Sequence, residues 1–308
     1  MGRALVGLIA AAWSVALALP AAADRATQAH TLEVGGVTRS YLLHVPPALP
    51  AGPAPLVLVF HGGGGTGTGV ERLTRFSELA DREGVLVAYP DGIGRNWYDG
   101  REFTSGSRAH RERIDDVGFV AALLDAIART RPVDPRRIYA TGISNGAVFS
   151  HYLAAHLSSR IAAIAPVVGG VADPPDAWLR PEHPVSVLIV QGTTDPLVPY
   201  RGGPVAFGRG RVIDTEDAAR RWARWNGAAP EPRSTVLPAP GKDHCGGLRL
   251  TYSGGRDGSE VVLVRLDGGG HTWPGGGQYL PEGLIGRVCR DFSATTLIWE
   301  FFRTHPRR

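Results

Sequence analysis

No block of like charge interrupts this sequence. Its 33 lysines and arginines and 29 aspartates and glutamates are spread along 308 residues and leave a net charge of +4. A nucleic-acid-binding surface normally shows as basic residues interleaved with aromatic ones, and no such stripe is present. No long segment is polar enough to be disordered either, since hydrophobic residues make up 43% of the chain. The composition favours a soluble globular protein and argues against nucleic acid as its partner.

Long apolar runs are also absent, apart from one at the start of the chain. There, Arg3 precedes an apolar segment at residues 4–19, and alanines at residues 21–23 follow it. This pattern is typical of an export signal and predicts cleavage just before Asp24. An uncleaved membrane anchor is the alternative, but the run is shorter than the roughly 20 apolar residues that span a bilayer. We therefore expect residues 1–23 to be a signal peptide and the mature protein to be secreted, extracellular or periplasmic, without membrane contact.

Cysteine is scarce, because Cys245 and Cys289 are the only two in the chain. An even number of cysteines in an exported chain favours one disulfide, since export leads to an oxidising compartment. Two buried thiols are the alternative, because the sequence does not give the distance between them. No cysteine lies near the predicted cleavage point, so lipid attachment there is not supported.

What the chain does contain is an alternation of apolar strands with amphipathic helices. "PLVLVF" at residues 55–60 is a continuous apolar run, typical of a strand buried on both faces. Apolar residues recur at helical spacing over residues 117–128, with Asp115 or Asp116 placed to cap that helix. Such alternation predicts an α/β fold with a mostly parallel central sheet and helices on both faces.

Two further interpretations concern the organisation of the chain. Residues 70–82 are predicted to form one helix, and the Pro- and Gly-rich segment 227–258, with little periodicity, is interpreted as a surface excursion. There is no internal repeat and no linker rich enough to divide the chain. We therefore expect residues 24–308 to form a single domain.

One short motif carries the chemistry. In "IYATGISNGA", Gly142 and Gly146 flank Ser144 at the junction of a predicted strand and a predicted helix, which is the context of a nucleophile elbow. A serine on such a sharp turn leaves no room for side chains two residues away. The turn lifts the hydroxyl out of the sheet and directs the helix N-terminus at the reaction centre. A glycine-flanked turn serine without chemistry is the alternative.

A serine nucleophile needs a base, and the base needs a carboxylate that orients it. On this kind of fold the order along the chain is serine, then acid, then histidine. His271 in "DGGGHTWPGG" follows a predicted strand and is the expected base, with His244 as the runner-up. Asp195 in "VLIVQGTTDPLVP" is the expected acid, although an aspartate before proline could simply start a turn. The other two acids considered, Asp243 and Asp267, are weaker candidates.

The oxyanion of such a reaction needs backbone donors. We expect one from Asn145, directly after the nucleophile, and one from Gly63 or Gly64 in "HGGGG". Glycines there let backbone amides approach a substrate without an intervening Cβ. The same stretch also fits the dinucleotide pattern G-x-G-x-x-G, but the acid expected at the end of the next strand is missing from "VLVAYP". The expected mechanism therefore uses no cofactor and no metal.

Several stretches together resemble a known family. "HGGGG", "DDVGFV", "RIYATGISNGA", "QGTTDPLVPY" and "GGGHTWPGG", in this order, are similar to the exported polyhydroxybutyrate depolymerase and feruloyl esterase group of α/β-hydrolases. The resemblance runs from about residue 31 to 302. It implies an α/β-hydrolase fold and a serine carboxylesterase that works through an acyl-enzyme with Ser144, Asp195 and His271. The implied substrate is a small ester, a polyester or a plant cell-wall ester.

The chain departs from that family in two respects. Members often carry further cysteines in regions that correspond to residues 108–114 and 129–137, where this chain has none. We also expect no appended polymer- or carbohydrate-binding module, which puts firm attachment to an insoluble polymer in doubt. The sequence does not indicate an oligomeric state.

Aromatic residues near the predicted site bear on the substrate. Trp97, Tyr98 and Phe103, together with Trp273 beside the base, could form an aromatic wall for a feruloyl group or an apolar hydroxyacid chain. Packing of the loops by these side chains is an equally good interpretation of each.

Two other functions are considered for the whole chain: a non-catalytic hydrolase-fold protein that binds a polymer or cell-wall ligand, and a peptidase. A binding protein would gain nothing from a strained serine turn.

Overall fold

The computed structural model describes residues 27–102, 107–239, 241 and 245–308. The predicted signal peptide and its cleavage point lie outside these residues. Within the described part of the chain, no helix is both long enough and apolar enough to cross a bilayer.

In the described residues, ten strands form one sheet, and two short strands form a separate hairpin. The strands in chain order are β1 (Thr27–Val34), β2 (Val37–His44), β3 (Ala54–Phe60), β4 (Leu86–Pro90), β5 (Val133–Ile143), β6 (Ala163–Val167), β7 (Ser186–Gly192), β8 (Gly203–Pro204), β9 (Arg211–Val212), β10 (Arg233–Leu237), β11 (Gly247–Tyr252) and β12 (Val261–Leu266). The large sheet has the order β1-β2-β4-β3-β5-β6-β7-β12-β11-β10, and β8 pairs with β9. Its centre, from β4 to β12, is parallel, and antiparallel strands extend both ends.

Helices cover both faces of this sheet. They are α1 (Gly67–Thr74), α2 (Phe76–Glu83), α3 (Arg108–Arg111), α4 (Asp116–Thr130), α5 (Asn145–His156), α6 (Thr215–Asn226), α7 (Glu282–Ile285) and α8 (Ala294–Thr304). Every residue of β3 is buried, and its side chains alternate between two apolar clusters. One cluster holds residues of α4, α5 and α6, and the other holds residues of α1, α2 and α8. The predicted mostly parallel sheet between two helical layers is confirmed.

The structure corrects the predicted helix at residues 70–82. This segment is two helices, α1 and α2, separated by Arg75, whose φ of 55° is left-handed. The amide of Arg75 still donates to the carbonyl of Glu71, so α1 ends on a capping hydrogen bond. Arginine is not a residue that favours a left-handed backbone. The break therefore left no local signal in the sequence.

The interpretation of residues 227–258 as a surface excursion is also wrong in part. This segment contains β10 and β11, which extend the sheet beyond β12. Four of the five side chains of β10 are exposed, so this edge strand has no buried face to produce an apolar alternation.

A disulfide joins Cys245 to Cys289, as predicted, with their Cα atoms 5.4 Å apart. Both residues are buried. The bond ties the chain just before β11 to the segment between α7 and α8. In that segment the carbonyl of Arg287 accepts from the amide of Gly270, the residue before His271, at 3.0 Å. The disulfide therefore holds a part of the chain that contacts the loop of His271.

Candidate active site

The turn between β5 and α5 holds Ser144 in a strained conformation. Its φ and ψ are 56° and −120°, a region that non-glycine residues rarely occupy and that typically costs about 1–3 kcal/mol. A Cβ on Gly142 would lie 2.7 Å from the backbone of Gly146, and one on Gly146 would lie 2.4 Å from the carbonyl oxygen of Phe60. Both glycines are therefore required by close backbone contacts, as the motif predicted.

The hydroxyl of Ser144 is not used to cap the helix that it precedes. The backbone amide of Ser144 donates to the carbonyl of Val167 on β6, at 3.1 Å, and fixes the turn against the sheet. Ser144 is half-buried and lines a cavity. Its side chain thus lies at the N-terminus of α5, where the helix dipole favours negative charge.

Asp195 and His271 form a buried pair on adjacent strand ends. Asp195 follows β7 and His271 follows β12, which is its parallel neighbour. The ring Nδ1 of His271 donates to Oδ2 of Asp195 at 2.8 Å. The other oxygen of Asp195, Oδ1, accepts from the amides of Leu197 and Val198 at 2.8 and 2.9 Å. Because the carboxylate is held from both sides, it fixes the orientation of the imidazole ring.

Close backbone contacts also position the loop that carries His271. A Cβ on Gly192 at the end of β7 would lie 2.2 Å from the carbonyl oxygen of Gly269. The amide of His271 donates to the carbonyl of Ile285, and the Tyr279 hydroxyl donates to the carbonyl of His271 at 2.7 Å. The His271 backbone is therefore held by Tyr279 and Ile285, two residues that precede the disulfide-bonded Cys289 in the chain.

The glycine-rich turn after β3 lies beside the nucleophile. A Cβ on Gly62 would lie 3.4 Å from Cβ of Ser144, and one on Gly63 would lie 3.8 Å from Cβ of Asn145. The amide of Gly64 donates to the carbonyl of Arg95 at 2.8 Å. The expectation that Gly64 supplies an oxyanion donor is therefore wrong, since its N–H is already engaged, and Gly63 remains the candidate from this turn.

His61 fixes the shape of that turn. Its Nδ1 donates to the carbonyl of Gly62 at 2.8 Å, and its Nε2 accepts from the amide of Gly92 at 3.0 Å. These two bonds require the neutral ring. Burial lowers the pKa of His61 and favours the same neutral form, against the raising effect of the bond to Gly62.

A second buried network lies beneath Ser144 and was not predicted from the sequence. The side chain of Asn145 donates to Asp99 at 2.7 Å and accepts from the amide of Trp97 at 2.8 Å. Asp99 also accepts from Nε of Arg101 at 3.1 Å and from Nε2 of His110 at 2.9 Å. Burial raises the pKa of the Asp99 carboxyl, but the Arg101 guanidinium and the His110 hydrogen bond outweigh it and lower the pKa overall.

A cavity of about 470 Å³ opens over Ser144. Its lining includes Gly63 and Asn145, an apolar wall, and several cationic side chains. The apolar wall contains Leu197, Val198 and Val205, and the cationic side chains are Arg101, Arg108 and Arg209. Cavities of roughly 300–1,000 Å³ suit small molecules. Within the described residues, no group of three or more histidines, cysteines or acids is arranged to hold a metal ion.

Comparison with known proteins identifies the family. Residues 39–175 match the family described as "Esterase PHB depolymerase". The chain is 34% identical over 290 residues to "Putative esterase NocK" of Nocardia uniformis subsp. tsuyamanensis. The alignment covers 91% of this chain and 83% of that protein. The chain belongs to this esterase family. The esterase is also 31% identical over 228 residues to "Feruloyl esterase B" of Piromyces equi, covering 71% of this chain and 40% of that protein.

A solved structure supports the fold of the esterase. "Acetyl xylan esterase from Aspergillus awamori" superimposes with a TM-score of 0.57 over 80% of this chain and 94% of that chain, at 15% identity. At this identity the likeness concerns the fold alone. It agrees with the predicted α/β-hydrolase fold.

The structure corrects the expected substrate contacts of Trp97 and Trp273 in the esterase. Their exposed fractions are 0% and 1%. The indole of Trp97 donates to the carbonyl of His61 at 3.1 Å, and that of Trp273 donates to Thr295 at 3.0 Å. Both rings pack the protein interior, so neither offers a face to a substrate.

The remaining residues considered for the site from the sequence do not contribute to it in the described structure. His244 and Asp243 lie outside the described residues, as does Phe103. Asp267 forms a surface ion pair with Arg265 at 3.0 Å and so does not serve the buried histidine. Asp99, Arg101 and His110 were not predicted, because in the sequence they are scattered polar residues that form no motif.

Proposed function

We propose that the esterase is a serine carboxylic-ester hydrolase in which Ser144 is the nucleophile, His271 the base and Asp195 the orienting acid. The observation that carries the proposal is the combination of a strained Ser144 at the head of α5 with a buried Asp195–His271 pair. A strained serine is retained where the surrounding structure requires it, and such sites concentrate at functional positions. The order of the three residues along the chain is the order expected for this fold.

The proposed reaction proceeds by acyl transfer. Because Nδ1 of His271 donates to Asp195, Nε2 is left to accept the proton of the Ser144 hydroxyl. The serine oxygen attacks the ester carbonyl, and the imidazolium then protonates the leaving alcohol. The acyl-enzyme is hydrolysed by a water molecule that the same Nε2 deprotonates. Asp195 stays ionised and stabilises the imidazolium in both steps.

The tetrahedral intermediates carry a negative oxygen, for which we propose two backbone donors. One is the amide of Asn145, the first residue of α5, and the other is the amide of Gly63. Removing one such donor typically costs about 3 kcal/mol of transition-state stabilisation. The side chain of Asn145 is engaged with Trp97 and Asp99, which holds its backbone in place.

The proposed substrates are esters of hydroxyalkanoic or hydroxycinnamic acids. The family description names a polyhydroxybutyrate depolymerase, and one relative is named a feruloyl esterase. The volume of the cavity suits a short acyl chain or a single aromatic acid.

We also propose that the protein is exported and acts as one unit from residue 24 to 308, since a disulfide is present and an export signal is predicted.

Hydrolysis of p-nitrophenyl butyrate by wild type and by Ser144→Ala tests the proposal. We expect the variant to lose at least about a thousandfold in kcat, because the oxyanion donors alone leave only residual catalysis. Ser150→Ala is the matched control, since Ser150 lies on the same helix and donates to the carbonyl of Gly146. Equal, measurable rates for wild type and Ser144→Ala would refute Ser144 as the nucleophile. Absence of hydrolysis by wild type would refute the enzyme and favour a binding protein.

A further inference from the structure

We infer that the cavity over Ser144 selects esters that carry a second, ionised carboxylate, and that Arg209 binds this group. The inference rests on the proposed function, because it names the substrate class of the same site. It concerns a specificity-determining residue that sequence reasoning did not identify.

Arg209 projects over the candidate oxyanion turn. It lies on the loop between β8 and β9, the two-stranded hairpin outside the main sheet. Its Nη1 is 3.6 Å from the position that a Cβ on Gly63 would occupy. The guanidinium therefore lies beside Gly63, next to Gly62, on which a Cβ would lie 3.4 Å from Cβ of Ser144. A carboxylate bound there would lie within the length of a short acyl chain from the ester carbonyl.

Other cations of the cavity are already neutralised. Arg101 pairs with Asp99 in a buried ion pair. Arg108 pairs with Glu112 at 2.8 Å on the surface. By contrast, in the part of the chain that the structure describes, no carboxylate lies within 4.0 Å of the Arg209 guanidinium. Among the described arginines that line the cavity, Arg209 is therefore the one without a carboxylate partner.

The backbone that carries Arg209 is held in place. Nη1 of Arg101 donates to the carbonyl of Arg209 at 2.9 Å. Arg101 is anchored by Asp99, which also accepts from the side chain of Asn145, the neighbour of Ser144. A buried chain of hydrogen bonds therefore connects the base of the Arg209 side chain to the nucleophile turn. Such preorganisation reduces the entropy that binding must overcome.

The apolar wall of the cavity determines which group can link the ester to the carboxylate in a bound ligand. Leu197, Val198 and Val205 supply apolar surface, and none of the described residues that line the cavity is acidic. The Phe207 ring is 79% exposed and lies 5.6 Å from the Arg209 guanidinium. The site therefore fits an apolar spacer with an ester at one end and a carboxylate at the other. A half-ester of a dicarboxylic acid and the acylated form of a hydroxyacid share this chemistry.

Two pairs of substrates test the inference and distinguish these two sources. Monomethyl adipate, with its carboxylate on the acyl side, is compared with dimethyl adipate. Acetoxybutanoate, with its carboxylate on the alcohol side, is compared with its methyl ester by acetate release. Rates at near-neutral pH are measured for wild type, Arg209→Gln and Arg209→Lys. Arg233→Gln on β10 is the control, since it removes an exposed arginine at the far edge of the sheet.

We expect wild type to prefer the anionic member of at least one pair, and to lose that preference as ionic strength rises. Arg209→Gln should raise KM for this anion about fivefold, as an exposed ion pair is worth up to about 1 kcal/mol, with little change in kcat. Arg209→Gln should hydrolyse the neutral esters at the wild-type rate, and Arg233→Gln should hydrolyse all the esters at the wild-type rate. Arg209→Lys should keep most of the preference for the anionic ester.

Two results would overturn the inference while the esterase proposal stands. One is a wild type that hydrolyses neutral esters through Ser144 but discriminates against both anions. The other is an Arg209→Gln variant that slows neutral and anionic esters equally. Absence of hydrolysis of every ester would refute the proposed function itself, and the inference with it.

Discussion

The buried pair of Asp99 and Arg101 gives the sharpest prediction on stability. Asp99 is fully buried and Arg101 is only 4% exposed, so water screens neither charge. Asp99→Asn preserves the shape of the side chain but removes the negative charge of Asp99 from beside the buried Arg101 guanidinium. Removal of one member of a buried ion pair typically costs about 3–5 kcal/mol. We expect the free energy of unfolding to fall by about 3 kcal/mol and Tm by about 6 °C.

The double variant Asp99→Asn/Arg101→Gln separates the lost charge pair from lost packing. Because it removes both charges, it should cost less than the sum of the single variants, with a coupling of about 2 kcal/mol in urea unfolding. If the losses in free energy of unfolding of the two single variants simply add in the double variant, the proposed coupling between Asp99 and Arg101 is refuted.

The pair also predicts a dependence of stability on pH. The pKa of Asp99 is lowered in the folded protein relative to its ordinary value of 3.8. The folded state therefore binds fewer protons there than the unfolded state does. The contribution of Asp99 is complete above pH 3.8 and is lost progressively as the pH falls toward the lowered pKa. Wild type and Asp99→Asn should accordingly differ most near neutral pH and converge in acid; a constant difference would contradict this.

Two further predictions concern the site and its anchor. His271→Ala should abolish acyl turnover of p-nitrophenyl butyrate while His244→Ala keeps most of it, because the bond to Asp195 belongs to His271; the opposite ranking would reassign the base. The double variant Cys245→Ser/Cys289→Ser should lose about 4 kcal/mol of stability, from the 44-residue separation of the bridged cysteines. Denatured, unreduced wild type should show no free thiol, and two titratable thiols would refute the disulfide.

The sequence was sufficient to predict features that depend on local patterns. The all-apolar β3 and the spacing of Gly142 and Gly146 around Ser144 are readable because each involves a few consecutive residues. The helix break at Arg75 escaped prediction, since an arginine in a left-handed conformation leaves no compositional trace. The strand β10 escaped because an exposed edge strand needs no apolar alternation.

Contacts distant in sequence account for the remaining errors at the site. Gly64 looked free as a donor, but Arg95, 31 positions later by number, supplies the carbonyl that its amide binds. Trp273 lies two residues after His271 and Trp97 lies in a polar loop, yet tertiary packing buries both. The identity of the base and the extent of the domain stay predictions that experiments must test.

Covalent labelling tests the central claim most directly. A fluorophosphonate reacts with a serine only where a base activates its hydroxyl, so digestion and mass spectrometry of the labelled protein locate the nucleophile. We predict a single adduct on Ser144, absent from Ser144→Ala and strongly slowed in His271→Ala. Adduct formation on another residue, or unlabelled protein that still hydrolyses esters, would contradict the proposed mechanism.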